Sequence, residues 1–162
     1  MRIIKVIIGL TLSILLGSGV VVAADFDKGL EAYNSGDFKT ALAEWTPIAE
    51  QGDADAQFNL GLMYENGEGL PENDKTAVKW YTLAAEQGYA IAQRYLGAMY
   101  DFGDGVPRND KTAVKWYTLA SYNGNEVARE NKDKVTKQMT PADISTAQDM
   151  SSRCLDSNYT DC

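Results

Sequence analysis

Apolar and polar positions in the middle of the chain alternate with the period of an α-helix. Between residues 75 and 87 the apolar side chains fall three or four positions apart, at Ala77, Trp80, Tyr81, Ala84 and Ala85. This spacing places them on one face of a helix, with the intervening lysines off that face. The pattern therefore predicts a second helix here and a first helix upstream, over residues 54–65, separated by a loop rich in glycine.

The same pattern returns 36 residues later. Residues 74–84 recur unchanged at 110–120, and aligning 56–91 with 92–127 gives 22 identities in 36 positions. An earlier, partial copy has a shorter loop. A fixed period of this length indicates a stacked array of helical hairpins. We divide the chain into a leader at 1–24, a shorter first unit at 25–53, full repeats at 54–89 and 90–125, and a C-terminal helical cap at 126–162.

Spaced positions in both full repeats resemble a known family. Ala56-Gln-x-x-Leu-Gly-x-x-Tyr64, Gly67-x-Gly and Ala77-x-x-Trp-Tyr-x-x-Ala-Ala-x-Gln-Gly88 resemble the Sel-one-like repeat (SLR), a relative of the tetratricopeptide repeat. The second copy departs from this pattern at residues 121–123, and the first unit looks more like a tetratricopeptide. The resemblance implies an all-α fold, a right-handed superhelix of helical hairpins. It also implies an adaptor that binds proteins or peptides, often in bacterial envelopes, without naming the partner.

Large and small side chains are placed so that neighbouring helices can interlock. Gly61 lies inside a predicted helix, where glycine costs about 1 kcal/mol relative to alanine, and it has copies at Gly29 and Gly97. We expect the space left by each missing side chain to be used for packing. We also expect the three tryptophans, Trp45, Trp80 and Trp116, to lie in the core.

The first 24 residues have the composition of a secretory signal. Arg2 and Lys5 precede an apolar run over 6–16, and small residues lead to Ala24. This order predicts cleavage after Ala24 and export, to the periplasm or to the medium, with no membrane span in the mature chain. The alternative is a membrane anchor, because residues 6–24 are nearly long enough to cross a bilayer.

Charge and composition restrict the function. Without the leader, 13 basic residues face 23 acidic ones, a net charge of −10. No basic stripe is present to neutralise phosphates, so nucleic acid is not an expected partner. The acidity favours a partner with a basic surface. We expect the protein to be a monomer.

The chain has no histidine, which removes histidine-based triads and metal sites. We therefore expect no cofactor, no metal and no enzymatic activity. Two alternatives stay open. One is an envelope hydrolase acting on β-lactams or peptidoglycan, because carboxylate pairs are plentiful. The other is a structural module that has no stable partner.

Two cysteines lie near the end of the sequence, at Cys154 and Cys162. Export would place them where disulfides persist, so we expect them to form one that closes the loop 155–161. A redox or metal pair is the alternative, but the spacing matches neither Cys-x-x-Cys nor a zinc knuckle. Before them, Thr140 and Pro141 have the pattern of a new helix start within the predicted cap.

Positions that differ between the copies mark the candidate binding face. In arrays of this type the first helices line the inner curve. The predicted groove residues are Tyr33, Phe58, Leu62, Glu65, Arg94, Asp101 and Phe102. A mixed aromatic, apolar and charged surface suits an extended peptide or a partner helix. The alternative is that Phe58 and Leu62 simply pack against the adjacent unit.

Overall fold

The computed structural model describes residues 24–162, which form eight α-helices and no strand. The helices are α1 (Phe26–Ser35), α2 (Phe38–Glu50), α3 (Ala54–Asn66), α4 (Asp74–Ala85), α5 (Ala90–Phe102), α6 (Asp110–Tyr122), α7 (Glu126–Thr136) and α8 (Pro141–Asp156). Each helix from α1 to α6 packs against the next one along the chain. The all-α repeat fold predicted from the sequence is thus confirmed. The predicted leader lies outside the described residues, apart from Ala24.

Local hydrogen bonds explain why the two full repeats form the same helices. The side chains of Asn73 and Asn109 cap α4 and α6 by accepting the backbone N–H of the residue three positions later, each at 3.1 Å. Gly67 and Gly103 end α3 and α5 with a left-handed backbone, which glycine adopts without a steric cost. These shared caps therefore start the second helix and end the first helix at equivalent positions in both repeats.

An aromatic ring fills the space beside each helical glycine, as the sequence predicted. The three pairs are Gly29 with Trp45, Gly61 with Tyr81, and Gly97 with Tyr117. A Cβ atom added at Gly61 would lie 2.4 Å from the Tyr81 ring, which is far too close for two carbon atoms. Each glycine thus allows the second helix of its unit to approach the first with a large aromatic residue between them.

Buried glutamines join successive units. The Nε2 atom of Gln57 donates to the carbonyl oxygen of Ala49, and that of Gln93 donates to the carbonyl oxygen of Ala85, both at 3.0 Å. Gln93 is fully buried. Each glutamine adds a second donor to a carbonyl at the end of the preceding helix, beside the backbone N–H of Gly52 or Gly88. The hydrogen bond therefore fixes the register between one hairpin and the next.

The tryptophan prediction needs one correction. Trp45 and Trp116 are buried, as expected, but Trp80 is only partly buried. The apolar face of α4 is centred on Tyr81, which is fully buried, and Trp80 lies at the edge of that face. There it packs against the core cluster of the first unit, so its outer side stays exposed to solvent.

The C-terminal cap departs from the repeat. Helix α7 follows α6 as the first helix of another hairpin would, but α8 packs against α6 and makes at most marginal contact with α7. Thr140 caps α8 as predicted, because its hydroxyl accepts the Asp143 N–H at 3.2 Å. The expected disulfide between Cys154 and Cys162 is present and closes the tail over this region. No helix within residues 24–162 has the length and apolar character to cross a membrane.

Candidate protein-binding face

The predicted groove residues lie on α1, α3 and α5, which we call the first-helix face. Tyr33 is on α1; Phe58, Leu62 and Glu65 are on α3; Arg94, Asp101 and Phe102 are on α5. Side-chain contacts join these helices across the units. The rings of Phe58 and Tyr95 connect α3 to α5 with their centroids 5.2 Å apart. The hydroxyl of Tyr33 donates to Oε2 of Glu68, just after α3, at 2.8 Å.

An aromatic cluster supports the centre of this face. Phe58 is only 9% exposed, and its ring packs against those of Tyr81, Tyr89 and Tyr95. Tyr81 and Tyr95 also contact each other, with centroids 5.4 Å apart. Such pairs stabilise the fold beyond simple area burial. Phe58 thus packs largely against the adjacent helices, and the partly exposed Tyr95 presents the aromatic surface.

Tyrosine hydroxyls orient the acidic groups of the face. Tyr81 donates to Oε2 of Glu65, and Tyr117 donates to Oδ2 of Asp101 at 3.4 Å. These pairs occupy equivalent positions in the two full repeats. Burial and then the Glu65 hydrogen bond raise the pKa of the Tyr81 phenol, and burial also raises the pKa of Asp101. Both phenols therefore stay protonated donors at neutral pH.

The first unit replaces this pair with aromatic packing. Tyr33 and Trp45 stand where the full repeats have their carboxylate and tyrosine, and their ring centroids are 5.5 Å apart. The Tyr33 hydroxyl reaches forward to Glu68, and burial together with that hydrogen bond raises the pKa of Tyr33 to about 12. The first-helix face is therefore continuous from α1 to the loop after α3.

Charges on the face are unevenly paired. The Arg94 guanidinium lies 4.3 Å from the centroid of the Tyr95 ring, in cation–π range. Among residues 24–162, no basic side chain forms an ion pair with Glu65 or Glu68. Both glutamates are only partly buried. A concentration of negative charge therefore remains accessible beside the aromatic rings.

The structure brings together most, but not all, of the predicted residues. Phe58, Glu65 and Arg94 join one contact network through the rings of Tyr81 and Tyr95. Tyr33 instead contacts Glu68 and Trp45, and Phe102 is 72% exposed at the end of α5. The sequence reasoning missed Glu68 and Tyr95. The spacing of 16 residues in both carboxylate–tyrosine pairs was a usable signal for Tyr81 and Tyr117. No comparable signal marked Glu68, because its partner comes from another unit.

The described part of the chain also bears on other chemistry. Within residues 24–162, no three cysteine, aspartate or glutamate side chains are grouped so that they could hold a metal ion. Every buried side-chain nitrogen or oxygen there has a hydrogen-bond partner. A polar cleft of about 410 Å³ lies between the start of α6 and the turn before α8 and includes Lys111 and Asp143. Those two side chains already form an ion pair at 3.0 Å.

Stacked helical hairpins joined by repeated contacts define a helical-repeat protein, and comparison with known proteins identifies the type. The Sel1 repeat family matches residues 54–89 and 90–125. The chain therefore contains two Sel1 repeats. Proteins of this family generally act as protein-interaction scaffolds. No curated protein matches the chain.

Two solved structures share this fold. One is c5321, a protective antigen of uropathogenic Escherichia coli with an SLR fold. It is 30% identical, with a TM-score of 0.75 over 79% of this chain and 28% of that one. The other is a Sel1 repeat protein from Oxalobacter formigenes, 32% identical, with a TM-score of 0.67 over 70% of this chain and 47% of that one. The chain thus spans less than half the length of either protein.

Proposed function

We propose that this protein is an exported, non-enzymatic scaffold of the bacterial envelope that binds a segment of another protein on its first-helix face. The observation that carries the proposal is the continuous aromatic and acidic surface across α1, α3 and α5. Hydrogen bonds between units hold its side chains in place, such as that of Tyr33 with Glu68. A preformed surface loses little conformational entropy when it binds.

Export has two lines of support. The leader has the order of charged, apolar and small residues that secretion requires. The Cys154–Cys162 disulfide is a bond that persists in oxidising compartments. Cell fractionation with N-terminal sequencing tests this part. We expect a mature chain that begins at Asp25 in the periplasm or the medium, and an uncleaved membrane-bound chain would contradict it.

Site-specific photo-crosslinking in cells tests the binding face. A photoreactive phenylalanine analogue would replace Leu30 on α1, and Leu83 on α4 provides a matched control, because these leucines are 40% and 45% exposed. We expect Leu30 to yield a discrete crosslinked partner and Leu83 to yield none. Equal crosslinking from both positions, or none from Leu30, would refute the face assignment.

Nothing in residues 24–162 favours the hydrolase alternative. A turnover assay with a chromogenic β-lactam and with muropeptides tests it directly. Activity that copurifies with the protein and disappears on a single substitution would replace the scaffold proposal.

A further inference from the structure

The two full repeats carry the same carboxylate–tyrosine pair in different electrostatic surroundings. In the third unit of the array, Asp101 pairs with Tyr117. Arg108 lies close enough to Asp101 to lower the pKa of that carboxyl, although the larger effect of burial raises it. Arg94 likewise lowers the pKa of the Tyr117 phenol against the larger effect of burial. This pair therefore has two guanidinium groups of its own chain nearby.

The second unit has the pair but lacks both arginines. Glu65 and Tyr81 form the equivalent hydrogen bond. Thirty-six positions before Arg94 and Arg108 the chain has Phe58 and Glu72. One cation is thus replaced by an aromatic ring and the other by an additional acid. The positive charges beside the pair are therefore lost while the underlying hydrogen bond is kept.

A further carboxylate and two aromatic residues surround this second-unit pair. Glu68 is held by Tyr33, and each glutamate uses only its Oε2 oxygen, leaving Oε1 without a hydrogen-bond partner in the described part of the chain. Tyr95 adds a partly exposed ring that packs against Tyr81, with the ring centroids 5.4 Å apart. We call Tyr33, Glu65, Glu68 and Tyr95 the acidic–aromatic patch.

We propose that the acidic–aromatic patch binds an arginine side chain of the partner segment, which supplies the cation that the third unit carries itself. Carboxylates accept paired N–H donors from a guanidinium, and aromatic rings stack on its plane. The chain shows the second contact internally, where the Arg94 guanidinium lies over Tyr95. This inference rests on the proposed function and specifies the partner's chemistry.

The direct test is a titration of the isotopically labelled, purified protein with a short acetylated peptide, Gly-Ser-Arg-Ser-Gly amide, followed by NMR. The matched probe replaces arginine with citrulline, which keeps the shape and removes the charge. We expect the arginine peptide to shift the signals of the patch and to bind at least about tenfold more tightly than the citrulline peptide. Equal binding of the two peptides would overturn the proposal.

Matched variants separate this patch from the general acidity of the protein. The double variant Glu65→Gln/Glu68→Gln keeps the acceptors for the tyrosines and removes two charges. We expect it to lose at least about tenfold in affinity for the arginine peptide. The control Glu130→Gln/Asp149→Asn removes two exposed charges from the cap and should change affinity by less than about twofold. Equal losses in both variants would overturn the proposal.

A third variant transfers the arginine of one repeat to the other. Glu72 is exposed, so Glu72→Arg should fold normally. We expect the new side chain to approach Glu65 as Arg108 approaches Asp101 and to weaken arginine-peptide binding to the citrulline level, whereas Glu72→Gln should retain most of it. Unchanged binding by Glu72→Arg would overturn the proposal. Crosslinking at Leu30 without binding of the arginine peptide would refute this inference alone. Binding of the arginine peptide without crosslinking at Leu30 would refute the scaffold proposal.

Discussion

Lys79 and Lys115 occupy the same position in two identical eleven-residue segments, yet Lys79 is exposed and Lys115 is only 4% exposed. The C-terminal tail folds over α6 and produces this difference. The Nζ atom of Lys115 donates to the carbonyl oxygen of Cys162 at 2.7 Å and lies 3.9 Å from the centroid of the Trp116 ring. Burial lowers the pKa of Lys115 to about 8.

The buried lysine should make the stability of the protein depend on pH. Between pH 8 and the ordinary lysine pKa of 10.5, the unfolded chain binds a proton at Lys115 that the folded chain has released. The free energy of unfolding should therefore rise as the pH increases from 8 toward 9. Urea unfolding at several pH values measures this rise.

Lys115→Met should remove the rise in stability, and Lys79→Met, the matched control, should keep it. Tyrosines with a raised pKa, such as Tyr33 and Tyr89 at about 12, oppose the effect once the unfolded chain begins to release tyrosine protons, about one pH unit below the ordinary value of 10, so the rise is measured below pH 9. An identical pH dependence in wild type and Lys115→Met would contradict the assignment of this titration to Lys115.

Gly61→Ala should destabilise the protein. Alanine normally stabilises a helix by about 1 kcal/mol relative to glycine. Here the added methyl group would meet the Tyr81 ring at 2.4 Å, and overpacking of this kind costs about 1–3 kcal/mol. Thermal melting compares it with Asn59→Ala on the same helix. A melting temperature of Gly61→Ala above that of wild type would show that the Tyr81 ring is not confined at Gly61. Gly61→Leu should lower the stability further than Gly61→Ala.

Gln93→Ala should cost more stability than a surface substitution of the same type. It removes the donor to the Ala85 carbonyl and the acceptor for Nδ2 of Asn123, and each such hydrogen bond contributes about 0.5–1.5 kcal/mol. Gln138→Ala, in the exposed turn before α8, is the matched control. Chemical denaturation measures both, and equal midpoints would exclude a stabilising role for the glutamine contact between units.

Reduction of the disulfide should loosen the C-terminal tail. Closure of so short a loop contributes at most about 2.5 kcal/mol through the entropy of the unfolded chain. We expect reductant to lower the melting temperature of wild type and to expose the Lys115 side chain to solvent. The variant Cys154→Ser/Cys162→Ser should have the melting temperature of reduced wild type, and reductant should not change it. A reductant response in that variant would place the effect elsewhere.

The candidate face was only partly predictable. The positions of Tyr33, Glu65 and Arg94 followed from helical periodicity and from the differences between copies, because a helix fixes which residues share a side. The burial of Phe58 could not be predicted from this periodicity. Phe58→Ala removes a ring that contacts three tyrosines, and such deletions cost about 3–5 kcal/mol. Arg94 is the better position for a binding test.

The sequence by itself determined the helices, their caps and the glycine–aromatic packing within each hairpin. These depend on residues close in the chain, so a 36-residue period is enough to specify them. Tertiary structure alone decided which of two identical lysines is buried, and that α8 packs on α6. It also decided that Glu68 is held by Tyr33. These contacts join residues of different units, and local periodicity carries no information about which distant surfaces meet.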